Sequence, residues 1–159
     1  MKAGNGSPPA LPSRRRIVAG AAVIAIGAFA PLRARAAGLP DIPAMSAWLA
    51  GRTPQLARVR LELPRLADNG LAVPMRVVVD GPFSPGPHVR SIRLFSEANP
   101  VPEMAVFEFP APVERVEIES RIRLATTQSV VAVAEMSDGH VLATSAEVVV
   151  TLAGCMDGT

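Results

Sequence analysis

The sequence predicts an all-β domain, a two-sheet antiparallel sandwich preceded by a short helix. Three observations predict it. From Val59 onward apolar residues recur with period two, the spacing that buries one face of a strand and wets the other. Turn-forming clusters, Asp68-Asn69-Gly70, Asp80-Gly81-Pro82 and Ser137-Asp138-Gly139-His140 among them, cut these runs into about seven short strands. No helical periodicity interrupts the series. Strands of this number and spacing give an immunoglobulin-like β-sandwich. The Cys…Trp…Cys signature of true immunoglobulin domains is absent, so the assignment concerns architecture.

The 159 residues hold one ordinary domain and a targeting segment. Residues 1–36 read as a cleavable signal peptide. Ser13-Arg14-Arg15-Arg16 is the basic region, an apolar run follows from Ile17 to Ala30, and Ala34-Arg35-Ala36 is a small-x-small cleavage site. A run of about 14 residues is shorter than the roughly 20 that span a bilayer, so no stable membrane anchor is expected. Arg14 and Arg15 before an Ala/Gly-rich core point to export through the twin-arginine (Tat) machinery, and hence to the periplasm; an ordinary secretion signal is the alternative. Cleavage after Ala36 leaves ten Arg, no Lys and fourteen carboxylates, a net charge of −4. The basic isoelectric point of 9.5 therefore belongs to the signal, and nucleic-acid binding loses its electrostatic support.

Residues 37–55 form a short helix and linker. Asp41 is placed to cap the helix, Pro43 suits its first turn, Gly51 its exit, and Ile42, Met45 and Leu49 share a face. The sandwich occupies 56–152. Its strands are expected at Val59–Leu63, Val73–Val79, Val89–Phe95, Met104–Phe109, Val116–Leu124, Ser129–Met136 and Val141–Leu152. Long apolar strands such as Val73–Val79 and Val148–Val150 are expected to leave an apolar sheet surface for a partner. Residues 153–159 form a C-terminal tail.

Most catalytic constellations are missing. His88 and His140 fall in a loop and a tight turn, and two His with one distant Cys give no metal-ligand spacing. There is no Gly-rich phosphate loop and no Gly-x-Ser-x-Gly elbow. Glu117 and Glu119, with Arg121 and Arg123, lie on the expected wet face of a strand, where solvation accounts for them; for the two arginines a partner interface is the alternative. No cofactor is called for.

Cys155 is the exception. It is the one cysteine, five residues from the end, and a lone thiol in an exported protein points to intermolecular pairing or a working free thiol. Ala153 and Gly154 before it and Gly158 after it carry little bulk and give the tail backbone freedom. A thiol on such a tether can reach into another protein's active site. A free cysteine of pKa about 8.5 is only a few per cent thiolate at pH 7, and Asp157 with the terminal carboxylate lowers that fraction further, so activation falls to a partner enzyme.

Several segments resemble one family in order along the chain. Leu63-Pro64…Ala67-Asp68-Asn69-Gly70…Val73-Pro74, then Ala98-Asn99-Pro100-Val101-Pro102, then Arg121-Ile122-Arg123-Leu124-Ala125 with Thr127-Gln128-Ser129-Val130, and last Val150-Thr151-Leu152-Ala153-Gly154-Cys155 are similar to stretches of SoxY, the sulfur-carrier subunit of bacterial thiosulfate oxidation. The resemblance implies a β-sandwich carrier that is not itself an enzyme. It pairs with a SoxZ-like sandwich subunit as a heterodimer and holds thiosulfate-derived sulfur covalently on Cys155. A haem enzyme loads the cargo and other periplasmic sulfur-oxidising enzymes process it. The tail departs from the family's Gly-Gly-Cys-Gly-Gly: Met156 adds bulk, and Asp157 puts negative charge beside an anionic adduct. An immunoglobulin-like binding subunit that carries no cargo is the alternative; a redox enzyme, lacking a second Cys or a neighbouring His, is the weakest class.

Overall fold

The computed structural model describes residues 38–83 and 85–153. The chain divides into Met1–Leu32 and Arg33–Thr159, and the architecture is that of the second unit. The signal residues Arg14 and Arg15 and the tail residues Gly154, Cys155 and Gly158 lie outside the described residues.

One helix, α1 (Pro43–Leu49), is followed by β1 (Val59–Glu62), β2 (Leu66–Ala67), a 3-10 turn (Gly70–Ala72), β3 (Val73–Val79), β4 (Val89–Ser96), β5 (Glu103–Glu108), β6 (Val116–Ile122), β7 (Gln128–Met136) and β8 (Val141–Val150). A three-stranded sheet runs β1-β3-β6 and a five-stranded sheet runs β2-β8-β7-β4-β5. All seven expected strands are present and pair antiparallel. The eighth, β2, is two residues long and runs parallel to β8, with Leu66 beside Val149 and Ala67 beside Val150. Two residues show no periodicity, so nothing in the pattern marked it.

Between the sheets lie Val77, Ile92, Leu94, Val116, Val130 and Ala132, all fully buried. The outer face of the larger sheet is also covered. There Ile42, Met45 and Leu49 of the α1 region pack on Phe95, Val131 and Val133. Strand β7 is therefore covered on both faces, which explains the uninterrupted Val130–Ala134 run: even positions meet the small sheet and odd ones the helix. Burying side chains of this size stabilises by about 1.5–3 kcal/mol each.

The helix start differs from expectation. Ile42, not Asp41, occupies the cap position, without a side-chain cap, and Pro43 opens the first turn. The exit runs through Ala50 and Gly51, both at positive φ. Arg52 then closes the end, its Nε and Nη2 donating to the carbonyls of Leu49 and Trp48 at 3.1 and 3.2 Å. The same guanidinium lies 4.5 Å from the Trp48 ring centre and pairs with Glu135 of β7 at 2.8 Å. Arg93, paired with Glu103, lies 5.2 Å from the same ring.

The expected apolar sheet surface is mostly buried. Val73, Val77, Val79 and Val148 are buried in the core between the sheets and Val78 is buried as well; of the residues expected to form it, Val149 on β8 is exposed, at 44%. The solvent face of the small sheet carries charge instead: Arg76 bridges Glu62, Glu117 and Glu119, and Arg115 joins Glu117.

Candidate functional site: the root of the C-terminal tail

Strand β8 ends at Val150, at the end of the sandwich where β4 and β6 also end and β3, β5 and β7 begin. The chain stays pinned beyond the strand. The Thr151 N–H donates to the Ala67 carbonyl at 3.1 Å, and its hydroxyl to the Asp68 carbonyl at 2.8 Å. The Gly70 N–H donates to the Leu152 carbonyl at 2.8 Å, while the Gly70 carbonyl accepts from the Leu124 N–H at 2.8 Å. Thr127 adds a side-chain bond to the Val150 N–H at 3.0 Å. Asn69 shapes the turn, its Oδ1 accepting from the Leu71 N–H at 2.8 Å, a local side-chain bond suited to Asn in turns. Ala153, the last described residue, is exposed.

A second cluster braces the platform from the other side. Gln128, buried at the start of β7, accepts from the Ala98 N–H at 2.9 Å and donates to Asn99 Oδ1 at 2.8 Å. That Asn99 oxygen also takes the Ala125 N–H at 2.9 Å, and the Asn99 amide donates to the Arg123 carbonyl at 2.8 Å. Two side chains thus close the loops 97–102 and 123–127 against each other. A crevice of about 310 Å³ opens beside them between the sheet edges, lined by Met104, Phe107 and Ile122 with Arg121 and Arg123.

The sequence segments that carried the resemblance thus meet at one place. Asp68-Asn69-Gly70, Asn99, Arg123–Ala125, Thr127-Gln128 and Thr151-Leu152 form one hydrogen-bonded platform under the tail. Sequence reasoning gave Asn99 and Gln128 no chemical role; a buried Gln opening an apolar strand is the signal that marks a polar hub, since buried polar groups are bonded.

Other candidates prove structural. Glu117 is half-buried, and hydrogen bonds from Arg76 hold its carboxyl below the usual glutamate range; it belongs to an ion network, not merely to a solvated face. His140 is exposed and pairs with Asp138 at 2.9 Å, a contact that lowers the Asp138 pKa. His88 is half-buried, its backbone bonded on both sides to Ser137. Among the described residues, no three His, Cys, Asp or Glu side chains converge as a metal site. The side chains of Arg121 and Arg123 are exposed and meet no carboxylate among the described residues.

The family described as "Sulfur oxidation protein SoxY" matches residues 45–155, a span that closes on Cys155. The solved structure of the sulfur carrier protein SoxY from Chlorobium limicola is 27% identical, covers 67% of this chain and 87% of its own, and superposes with a TM-score of 0.56. A superoxide reductase from Nanoarchaeum equitans is 14% identical, covers 60% of this chain and 100% of its own, with a TM-score of 0.50; that likeness is one of fold. No curated protein sequence matches significantly.

Proposed function

The chain belongs to the SoxY family of sulfur oxidation proteins, and on that premise we propose that it is a periplasmic carrier of thiosulfate-derived sulfur, held covalently on Cys155. The observation that carries the reading is the coincidence of the family match, which runs to Cys155, with a hydrogen-bonded platform that grips the chain at Thr151 and Leu152, three residues before that thiol. A carrier needs a rigid body and a short tether. This chain supplies a braced sandwich and, beyond it in sequence, one thiol in a short segment that holds Ala153, Gly154 and Gly158.

In the chemistry proposed, the Cys155 thiolate and the outer sulfur of thiosulfate form an S–S bond, and two electrons leave to a haem enzyme. The product is a cysteine S-thiosulfonate with one negative charge. Water then attacks the terminal sulfur in a second enzyme, sulfate departs, and a persulfide stays on Cys155. No step uses a side chain of this domain as acid, base or nucleophile other than the thiol, so the protein is a carrier and not the catalyst. A SoxZ-like sandwich completes the unit as a heterodimer. Export through the Tat machinery by Arg14 and Arg15 would deliver the folded pair.

Labelling the thiol tests the reading. After incubation with thiosulfate and the haem enzyme, Cys155 should lose reactivity toward maleimide and regain it on reduction. A thiol that stays reactive throughout overturns the proposal. It would favour the second reading, a binding subunit without cargo, for which the bulk of Met156 and the charge of Asp157 are the supporting observations.

A further inference from the structure

Five exposed apolar side chains lie on the strands and loops that meet at the end of the sandwich from which the tail leaves. Leu66 and Val149, adjacent across β2 and β8, together with Leu71, Val101 and Leu152, are between 44% and 69% exposed. Among the described residues only Leu56, Val106 and Val113 are comparably exposed large apolar side chains elsewhere. Each of the five is tied to the platform: Leu71 follows the glycine that grips Leu152, and Val101 shares a loop with Asn99. Two arginines lie on the same elements. Arg65 precedes β2, its carbonyl bonded to the Val149 N–H at 2.9 Å, and Arg123 offers its carbonyl to Asn99. Both side chains are exposed, and neither meets a carboxylate among the described residues. Arg121, two residues before Arg123, is likewise exposed and without a carboxylate among the described residues.

The tether length makes this surface unavoidable for a partner. The Leu152 carbonyl is fixed by Gly70 and Cys155 lies three residues on, so its Cα extends at most about 10 Å from the anchor. Any enzyme acting on that thiol must set the mouth of its active site on this end of the sandwich. Exposed apolar side chains with charged groups at their margin, here Arg65 and Arg123 together with the carboxylates of Asp68 and Glu97, are the composition of a docking patch whose rim charges steer encounter.

We propose that this end of the sandwich is the docking face for the enzyme that loads Cys155. The partner presents apolar residues around its active-site mouth, with carboxylates opposite Arg65 and Arg123. The proposal rests on the carrier reading above.

The test compares the wild-type protein with R65E/R123E, with L71S/V101S, and with R90E. Arg90 is also exposed and free of carboxylate partners among the described residues, but lies at the opposite end of β4. Each is loaded by the host's thiosulfate-oxidising haem enzyme with thiosulfate and oxidised cytochrome c as electron acceptor, and adduct is followed by mass. R65E/R123E should load on the order of 10-fold more slowly at low ionic strength, with the gap closing in high salt. L71S/V101S should load more slowly at every salt concentration, and R90E at the wild-type rate. Alkylation of Cys155 by iodoacetamide, which needs no docking, should be equal in all four. Equal enzymatic loading of the first two variants overturns the docking face while leaving the carrier reading intact. An altered alkylation rate overturns it too, because the arginines would then act on the tail itself. Absence of any adduct on the wild type overturns the carrier reading on which the proposal stands.

Discussion

Replacing Asn99 by alanine removes the centre of the brace beneath the tail. Three bonds go at once: the Ala125 N–H and the Gln128 amide lose their shared acceptor at 2.9 and 2.8 Å, and the Arg123 carbonyl loses its donor at 2.8 Å. A typical hydrogen bond contributes about 1 kcal/mol net, and a buried group left unpaired costs about 1–3 kcal/mol. Asn99 is half-buried and Gln128 buried, so water can replace the bond at the Arg123 carbonyl more readily than at Gln128. The expected loss is about 2–3 kcal/mol, which lowers the melting temperature of a domain of this size by about 10 °C. Asn99→Asp should fall between. It keeps an acceptor for both donors but turns a carboxylate oxygen toward the Arg123 carbonyl. Chemical denaturation of the mature protein at pH 7 measures the difference from the shift in midpoint at constant slope. Asn99→Ala within about 0.5 kcal/mol of wild type would refute the brace, since surface changes away from such networks lie in that range.

Ile42→Ala should cost about 2–4 kcal/mol in the same assay, because Ile42 is only 1% exposed between α1 and the larger sheet; a neutral result would mean that the helix is not part of the cooperative unit. Glu117→Gln should flatten the acid limb of the stability curve. The Glu117 pKa is lowered by Arg76 from an ordinary 4.5, so its contribution is complete above that value and disappears as pH falls through the lowered one. Thermal melts from pH 7 to pH 3 read this out, and a variant that tracks wild type throughout would leave the Arg76 network without a role in stability. Arg14→Lys with Arg15→Lys should leave the precursor unexported in a cell-fractionation assay; normal export would contradict the twin-arginine assignment.

The sandwich was legible in the sequence because its signal is local. Alternation in Val59–Glu62 and Val116–Ile122, and turn residues at Asp80-Gly81 and Ser137–His140, depend only on neighbours along the chain. The layer formed by α1 was legible in part: the face of Ile42, Met45 and Leu49 follows from helical spacing, but its target on Phe95, Val131 and Val133 lies far along the chain. The doubly covered Val130–Ala134 run was read as a strand without revealing what covers it, since buried strands look alike whatever lies above them. What stayed hidden was long-range and polar. Arg76 with its three carboxylates, Arg52 across to Glu135, and Asn99 with Gln128 join residues distant in sequence. No periodicity announces such pairs. The site was half legible: a lone Cys in a small-residue tail stood out by chemistry, whereas the platform below it could be seen only once the chain was folded.

Intact mass spectrometry of the mature protein after reaction with thiosulfate and the haem enzyme tests the central claim most directly. Wild type should gain the mass of a single thiosulfate adduct, removable by reductant and mapped to the peptide containing Cys155. Cys155→Ser, with the same melting behaviour, should gain nothing. An unmodified wild type, or an adduct that persists in Cys155→Ser, would contradict a carrier role for this thiol.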